Sequence, residues 1–357
     1  MFPFSPKSQL LILADCWYAY PYPELCQPFE HFLQENFPLW VTSLARRFGI
    51  VRGGVLFLGA QKYSATLISV GGGARAFLLF EALLGVPRKH VILTEFFQPV
   101  KANSRSILKR SIYYVWLHWI LKQALRKSLL VAHVLTERER SHYSELFEIP
   151  KERFVFIPWP KRLRNDRLVE TLTPASAERS VVSSGREACD WQTLFKAAEG
   201  QDWRLRVICS HRDLPQVQRL NSHGIAEVLC DIPAEDHQRQ VQRATVYVLS
   251  LFERECSAGH SRISDTTRAG IPIVATAVKG IEGYIDDGET GLLVPPGDVS
   301  LLRAAVNRLL ADAPYRRALV RNAFDRAANH TREDYIERIG LLIRRAVQSG
   351  SDTAVER

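Results

Sequence analysis

The sequence lacks two features that would define its class at once, namely a long apolar run and regularly spaced cysteines. A helix needs about 20 consecutive apolar residues to cross a bilayer, and no run reaches that length. The apolar run at 10–14 is too short for a secretory signal, because Asp15 ends it. The six cysteines include no C-x-x-C pair and no zinc-ligand spacing. We therefore expect reduced thiols in a cytoplasmic protein.

The sequence also has no internal repeat and no low-complexity tract, and its charge is moderate. At 357 residues it is long enough for two average domains. Its hydrophobic fraction of 46% is that of a globular protein with a sizeable core. The net charge of +9 is compatible with an anionic partner such as a nucleotide, a phospholipid surface or a nucleic acid.

Short apolar segments alternate with longer amphipathic ones, which predicts an α/β fold with parallel sheets. In the first half we predict, among other elements, a helix over 29–48 and a strand over 55–58. A polar stretch without clear periodicity at 161–179 interrupts the alternation, which restarts at Ser180. We predict an N-terminal domain over 1–165, a linker over 166–179, a second domain over 180–332, and a C-terminal helix and tail over 333–357.

The segment 252–298 is the most informative part of the sequence. It begins with a small, polar loop and continues with a predicted helix over 262–269, which Gly270 can end. The apolar, β-branched run at 271–276 then predicts a buried strand. Because a helix N-terminus presents unpaired backbone N–H groups, this loop is a candidate anion site.

The second half resembles the C-terminal domain of GT-B-fold glycosyltransferases, in particular glycosyltransferase family 4, also called group 1. The resemblance is carried by AGHSRISDTTRAGIPIVAT at 258–276, KGIEGYIDDGETGLLVPPGD at 279–298 and VVSSGREACDWQTLFKAA at 181–198. In the first half, only 131–158 is a good match. The resemblance implies two Rossmann-like domains facing across a cleft. It also implies a nucleotide-sugar donor held mainly by the second domain, and sugar transfer with retention of configuration.

Several site residues follow from this resemblance alone. Arg186, in the Gly185-Arg186 turn, would neutralise the donor diphosphate, and Asp265 would accept the ribose hydroxyls. Ser257 and Trp191 stand where the family usually has a glutamate and a lysine. Arg186 and His260 are the predicted catalytic residues, and the predicted donor-binding set is Gly185, Arg186, Ser257, Gly259, His260, Ser261, Arg262 and Asp265.

A glycine motif in the first half suggests a competing function. Gly71, Gly73 and Ala76 have G-x-G-x-x-A spacing after a predicted strand, and Glu95 ends the next strand. This pattern is typical of dinucleotide binding and would indicate an NAD-dependent oxidoreductase. In a GT-B domain the same region would face the acceptor, with Gly72, Gly73 and Glu95 on the acceptor side.

The segment 101–127 predicts a helix rich in both basic and aromatic residues, which suits an anionic membrane surface. The alternative is a helix packed on the first sheet with solvated basic ends. No nucleic-acid-binding module is evident, and no metal motif is evident, so we expect neither nucleic acid nor a required metal or cofactor.

The leading hypothesis is therefore a retaining glycosyltransferase with a nucleotide-sugar co-substrate and a glycan, lipid-linked glycan or small-molecule acceptor. We expect it in the cytoplasm, and the basic, aromatic segment 101–127 favours peripheral association with the inner face of the membrane. A non-catalytic GT-B binding or scaffold protein stays open, because Ser257 and Trp191 replace two charged family residues.

Overall fold

The computed structural model describes residues 11–17, 21–69, 71–96, 107–167 and 179–355. The chain divides into two compact units, one of Met1–Ile157 with Ile336–Arg357 and one of Pro158–Tyr335. The C-terminal helix, which we predicted as a separate segment, belongs to the first unit. The predicted linker over 166–179 falls largely outside the described residues.

The first unit contains a parallel sheet with the order β2-β1-β3-β4-β5-β6 among its described strands. Its central strands are almost completely buried, as expected for a sheet covered on both faces. The elements are β1 Ile12–Asp15, β2 Cys26–Pro28, α1 Phe29–Asn36, α2 Leu39–Arg47, α3 Gly49–Ala60, β3 Ala65–Ser69, α4 Gly72–Leu83, β4 Val91–Thr94, α5 Ile107–Val115, α6 Lys122–Ser128, β5 Leu129–Val134, α7 Glu137–Phe147 and β6 Phe154–Phe156.

Two predictions in this unit were wrong. The predicted strand over 55–58 lies inside α3, whose buried face includes Gly53, Leu56 and Ala60 at helical spacing. A side chain at Gly53 would overlap Ala76 of α4, so the glycine allows these two helices to pack closely. The predicted single helix over 29–48 is two helices, because Pro38 follows the end of α1 and cannot continue it.

The predicted helix over 104–127 is largely present. In its described part α5 continues through one π-helical stretch, Trp116–Leu121, into α6. Among the helices of the described ranges, none combines the length and the apolar character needed to span a bilayer.

The second unit contains a parallel sheet with the described strand order β12-β11-β10-β7-β8-β9. The chain moves outward from β7 to β9, then crosses to β10 on the other side of β7, so the strand order reverses between β7 and β10. The elements are β7 Ser180–Ser184, α8 Trp191–Ala198, β8 Arg204–Cys209, α9 Leu214–Leu220, β9 Ala226–Cys230, α10 Ala234–Gln242, β10 Val246–Leu249, α11 His260–Ala269, β11 Ile273–Thr276, β12 Leu292–Val294, α12 Val299–Ala311 and α13 Ala313–Arg326. The last helix, α14 Arg332–Val355, begins in this unit and continues in the first.

The loop–helix–strand prediction for 252–276 matches these elements closely. Helix α11 begins two residues earlier than predicted, at His260, and Gly259 before it has a φ of 78°. Gly270 ends the helix with a φ of 66°, the left-handed conformation that glycine adopts without strain. The strand starts at Ile273, after Pro272.

Candidate functional site

A cavity of about 700 Å³ lies in the second unit, where β7, β8 and β9 end and α11 begins. The carboxyl ends of strands beside a reversal of strand order are the usual ligand site of open α/β sheets. Of the predicted donor-binding residues, five line this cavity: Gly185, Arg186, Ser261, Arg262 and Asp265. The fold thus brings together residues that are up to 80 positions apart in the sequence.

The Gly185-Arg186 turn follows β7 directly. A side chain at Gly185 would overlap the Cys189 sulfur, so a larger residue there would displace the Cys189 side chain. The Arg186 guanidinium lies 3.1 Å from Asp231 Oδ1 and remains 71% exposed in its side chain. Arg186 therefore carries a solvent-exposed charge at the rim of the cavity, within reach of an incoming diphosphate.

Arg262 stands at the centre of a polar network on the first turns of α11. Its Nη1 donates to Asp265 Oδ2 at 2.8 Å and to His237 Nε2 at 2.7 Å. The His237 ring also contacts Ser184 Oγ at 2.8 Å, and that hydroxyl lies 2.7 Å from the Tyr247 hydroxyl. Burial, together with the positive charges of Arg262 and Arg186, lowers the pKa of His237 to about 4. His237 is therefore neutral at pH 7 and can accept a hydrogen bond from Arg262.

The Asp265 carboxylate is half-buried, and burial raises its pKa above the ordinary aspartate value. The positive charges of Arg262 and Arg268 oppose this rise. The hydrogen bond from Arg262 uses only the Oδ2 oxygen of this carboxylate. Asp265 can therefore accept a hydrogen bond from Arg262 and one from a ligand hydroxyl at the same time.

His260 occupies a different environment from the cavity-lining residues. Its side chain is buried, its Nε2 donates to the Gly280 carbonyl at 2.9 Å, and its ring stacks on Tyr284 with centroids 4.0 Å apart. Burial lowers the pKa of His260 to about 3, so the ring is neutral. This arrangement anchors the loop before α11, and the predicted catalytic role of His260 stays a prediction. Ser257 and Gly259 are likewise outside the cavity lining.

Sequence reasoning missed four polar residues of this site: Ser184, Asp231, His237 and Tyr247. Ser184 could have been found, because it directly precedes the Gly185 turn. The other three come from β9, α10 and β10, and no local pattern marks them. Tyr247 is buried within a strand, and only the hydrogen bonds of its hydroxyl to Ser184 connect it with the site.

The predicted acceptor-side residues lie at the carboxyl edge of the first sheet. Gly72 and Gly73 begin α4 after β3, and Glu95 follows β4 with a φ of 51°. The Glu95 N–H donates to His133 Nδ1 at 3.1 Å, while His133 Nε2 contacts the Ile157 carbonyl at 2.9 Å. Their role as acceptor contacts stays a prediction.

The space above Gly73 bears on the dinucleotide alternative. A side chain at Gly73 would meet Arg52 Cδ at 2.8 Å. Arg52 is held there by hydrogen bonds to Asp15 at 2.9 Å and to Glu30 at 2.7 Å. A dinucleotide fingerprint needs open space above this glycine for the pyrophosphate. Here an ion-paired arginine fills it, which disfavours NAD binding at this turn.

Among the described residues, one cluster has the composition of a metal site. Donor atoms of His211, Cys230 and Asp231 lie within 4.8 Å of one another, in the loops after β8 and at the end of β9. The Arg186 guanidinium contacts the same Asp231 carboxylate and opposes a bound cation there. That no metal is required stays a prediction.

Comparisons with known proteins match a segment of the second unit and the fold of the whole chain. Residues 190–312 match the family described as "Glycosyl transferases group 1". The chain is 38% identical over 93 residues to a D-inositol 3-phosphate glycosyltransferase of Stackebrandtia nassauensis, covering 25% of this chain and 21% of that protein. It is 34% identical over 196 residues to an exopolysaccharide phosphotransferase of Streptomyces coelicolor, covering 50% of this chain and 19% of that protein. The chain thus spans about a fifth of the length of these curated relatives.

Solved structures extend the likeness to nearly the whole chain. Anabaena HepE, solved in complex with UDP, superposes with a TM-score of 0.61 at 13% identity, covering 97% of this chain and 99% of that one. Sucrose-phosphate synthase of Thermosynechococcus elongatus gives a TM-score of 0.60 at 20% identity, covering 82% and 79%. The predicted fold is confirmed: the protein is an α/β protein of GT-B architecture with two Rossmann-like domains, and a segment of its second domain matches the group 1 glycosyl transferase family.

Proposed function

We propose that this protein is a glycosyltransferase that uses a nucleoside diphosphate sugar as donor. The observation that carries the proposal is the cavity of the second unit, where Arg186, Arg262 and the start of α11 surround one space with Asp265. Two cations and a helix N-terminus suit a diphosphate, and a carboxylate nearby suits the ribose hydroxyls. The match of 190–312 to the group 1 family supports the same assignment.

Each residue has a defined task in this proposal. Arg262 and the first amides of α11 face the diphosphate, and Arg186 moves from Asp231 to the phosphate as the donor enters. These donors stabilise the negative charge that develops when the sugar–phosphate bond breaks. In the retaining route implied by family resemblance, the acceptor hydroxyl attacks from the face that the diphosphate occupies. The leaving phosphate oxygen then takes the acceptor proton.

The two departures from the family pattern have different structural settings. Trp191 is buried at the start of α8 and packs in the core of the second unit, so no charge is available at that position. Arg262 lines the cavity and is the best replacement for the missing lysine, whereas Arg212 is directed toward Glu187 and the Arg186 carbonyl. Ser257 provides no carboxylate, and the non-catalytic alternative rests mainly on this position.

Calorimetric titration with UDP, GDP, ADP and NAD tests the proposal, and UDP is the first choice because HepE was solved with it. We expect one nucleoside diphosphate to bind, and Arg186→Gln to weaken it about tenfold, the scale of one charge-assisted hydrogen bond. Arg204→Gln, which removes the same charge at the other end of β8, serves as the matched control. Binding of NAD alone would contradict the proposal. Turnover of any nucleotide sugar, including slow hydrolysis, would exclude the non-catalytic alternative.

We propose a glycan or a lipid-linked glycan as the acceptor, and the first unit has one surface suited to a membrane. Helix α5 and the π-helical stretch expose Ile107, Ile112 and Trp119 by 76%, 61% and 70%, next to Lys109 and Arg110. Exposed apolar side chains beside cations are typical of helices that lie on anionic bilayers. Sedimentation with phosphatidylglycerol vesicles tests this contact, and Ile112→Asn should reduce the bound fraction. An unchanged bound fraction would contradict it.

A further inference from the structure

A second cavity lies in the first unit, at the edge of its sheet opposite to Gly73 and Glu95. It measures about 1330 Å³ and is lined at the amino ends of β3, β4, β5 and β6 and by α14. Substrates of parallel α/β folds bind at the carboxyl ends of the strands. This cavity therefore has no place in the sugar transfer proposed above, and its chemistry requires a separate explanation.

The charge of this cavity is strongly one-sided. Eight lysines and arginines line it, against one carboxylate, Glu152. Several of these cations donate hydrogen bonds to backbone carbonyls. Arg88 donates to Ala60 and Tyr63, Lys127 donates to Ala82 at 2.7 Å, and Arg153 donates to Leu130 at 2.9 Å.

A carbonyl satisfies an N–H donor but cancels no charge, so these hydrogen bonds leave the positive charges of Lys127 and Arg153 in place. The pKa of Lys89 is lowered, mainly by partial burial and also by the repulsion of the neighbouring Arg153 and Arg126. Arg126 does contact a carboxylate, Glu148, but shares it with Lys122. A bound anion would relieve the remaining repulsion.

The inner wall of the cavity is apolar. Val131, Ile157, Leu342 and Val347 line it and are less than one-tenth exposed, whereas the cations are half-buried or exposed. An inorganic anion would leave most of this wall and volume unused. A ligand with a charged head and an apolar tail would use both.

The chain beside the cationic rim is itself apolar and exposed. Leu83, Leu84 and Val86 are 67%, 65% and 63% exposed, and they directly precede Arg88 and Lys89. A cluster of exposed apolar residues of this kind marks an interaction site. Its position next to the rim indicates an apolar environment at the mouth of the cavity.

We propose that this cavity binds the phosphate head group and the adjoining acyl chain of an anionic lipid. The cations hold the phosphate, the inner wall covers the first methylene groups, and the Leu83–Val86 loop contacts neighbouring lipid. The site is independent of the donor site, because it lies in the other unit. It also differs from the contact proposed for α5, because the cavity binds the head group of a single lipid whereas α5 lies on the surface of a bilayer.

Three probes separate the possible origins of binding to the full-length protein. Calorimetry should show saturable, one-to-one binding of dihexanoyl phosphatidic acid, which has head and tail and stays dissolved as monomers. Glycerol 3-phosphate has the head alone, and dihexanoyl phosphatidylcholine has the tail with a neutral head, so both should bind at least about tenfold more weakly. If glycerol 3-phosphate bound as tightly as phosphatidic acid, the cavity would be a site for small anions. If phosphatidylcholine bound as tightly, the cavity would be an unselective apolar groove. Either result would overturn the proposal.

Two double variants complete the test. Lys89→Gln with Arg345→Gln removes two exposed cations of the cavity, and we expect phosphatidic acid to bind about tenfold or more weakly. Lys196→Gln with Arg219→Gln removes the same charge from the second unit and should change nothing. Equal weakening by both would assign the binding to net charge and overturn the site. Thermal unfolding and nucleotide titration of each variant show whether the fold and the donor site are intact.

Discussion

His260→Ala distinguishes an anchoring role from a chemical role for the histidine at the start of α11. The substitution removes the hydrogen bond to the Gly280 carbonyl and the stacking on Tyr284. A buried carbonyl left unsatisfied costs about 1–3 kcal/mol, and a lost aromatic pair costs about 0.5–1.5 kcal/mol. Because His260 is only 6% exposed, we expect a loss of about 3 kcal/mol in the free energy of unfolding.

Urea unfolding and differential scanning calorimetry measure this loss. For a unit of this size, about 3 kcal/mol corresponds to a fall in Tm of roughly 6–12 °C. Ser261→Ala is the matched control, because Ser261 is the next residue and is exposed, and its Tm should stay unchanged. Nucleotide affinity should fall only to the extent that the loop before α11 loosens. An unchanged Tm with abolished turnover would refute the anchoring role and indicate direct contact with the donor.

Three further predictions concern single residues. Asp265→Asn should weaken the binding of a nucleoside diphosphate about tenfold in calorimetry. The same substitution should weaken the binding of the corresponding deoxyribose nucleotide less, because that ligand lacks one ribose hydroxyl. Equal weakening for both ligands would contradict the ribose role of Asp265. Burial holds the pKa of His133 at about 4 against 6.5 in the unfolded chain, so the unfolded chain binds more protons between these values and stability falls as the pH falls. His133 alone should therefore cost about 2 kcal/mol between pH 7 and pH 5 in urea unfolding, and His133→Asn should flatten that slope. Thr136→Ala removes the side-chain acceptor for the Glu139 N–H at the start of α7 and should lower the free energy of unfolding by about 1 kcal/mol. An unchanged midpoint of urea unfolding would show that the cap does not stabilise the protein.

The two alternatives to a glycosyltransferase make different demands on the same molecule. An NAD-dependent oxidoreductase needs the pyrophosphate to approach Gly73, where Arg52 now lies. A non-catalytic binding protein needs only the donor cavity, which is present whether or not Ser257 supports chemistry. Nucleotide binding without any turnover is therefore the outcome that would favour the second alternative.

The sequence by itself determined the α/β class and the loop–helix–strand unit around α11. These depend on local patterns, such as the buried run that forms β11 and the glycines before and after α11. The cap of α7 is also local, because Thr136 directly precedes the helix and its side chain accepts a hydrogen bond from the Glu139 N–H in the first turn. The motifs around Gly185 and Asp265 indicated that these residues belong to one site.

Only the tertiary structure decided which polar groups meet there. Asp231 and His237 join the site because parallel strands place their carboxyl ends together, and no local pattern encodes that proximity. The apolar residues at 55–58 are compatible with a strand or a helix when only the sequence is considered. The packing of α3 against α4 at Gly53 shows that they form a helix. The basic cavity at the amino ends of β3–β6 was equally invisible, because its cations come from separate segments and meet only when the first unit folds.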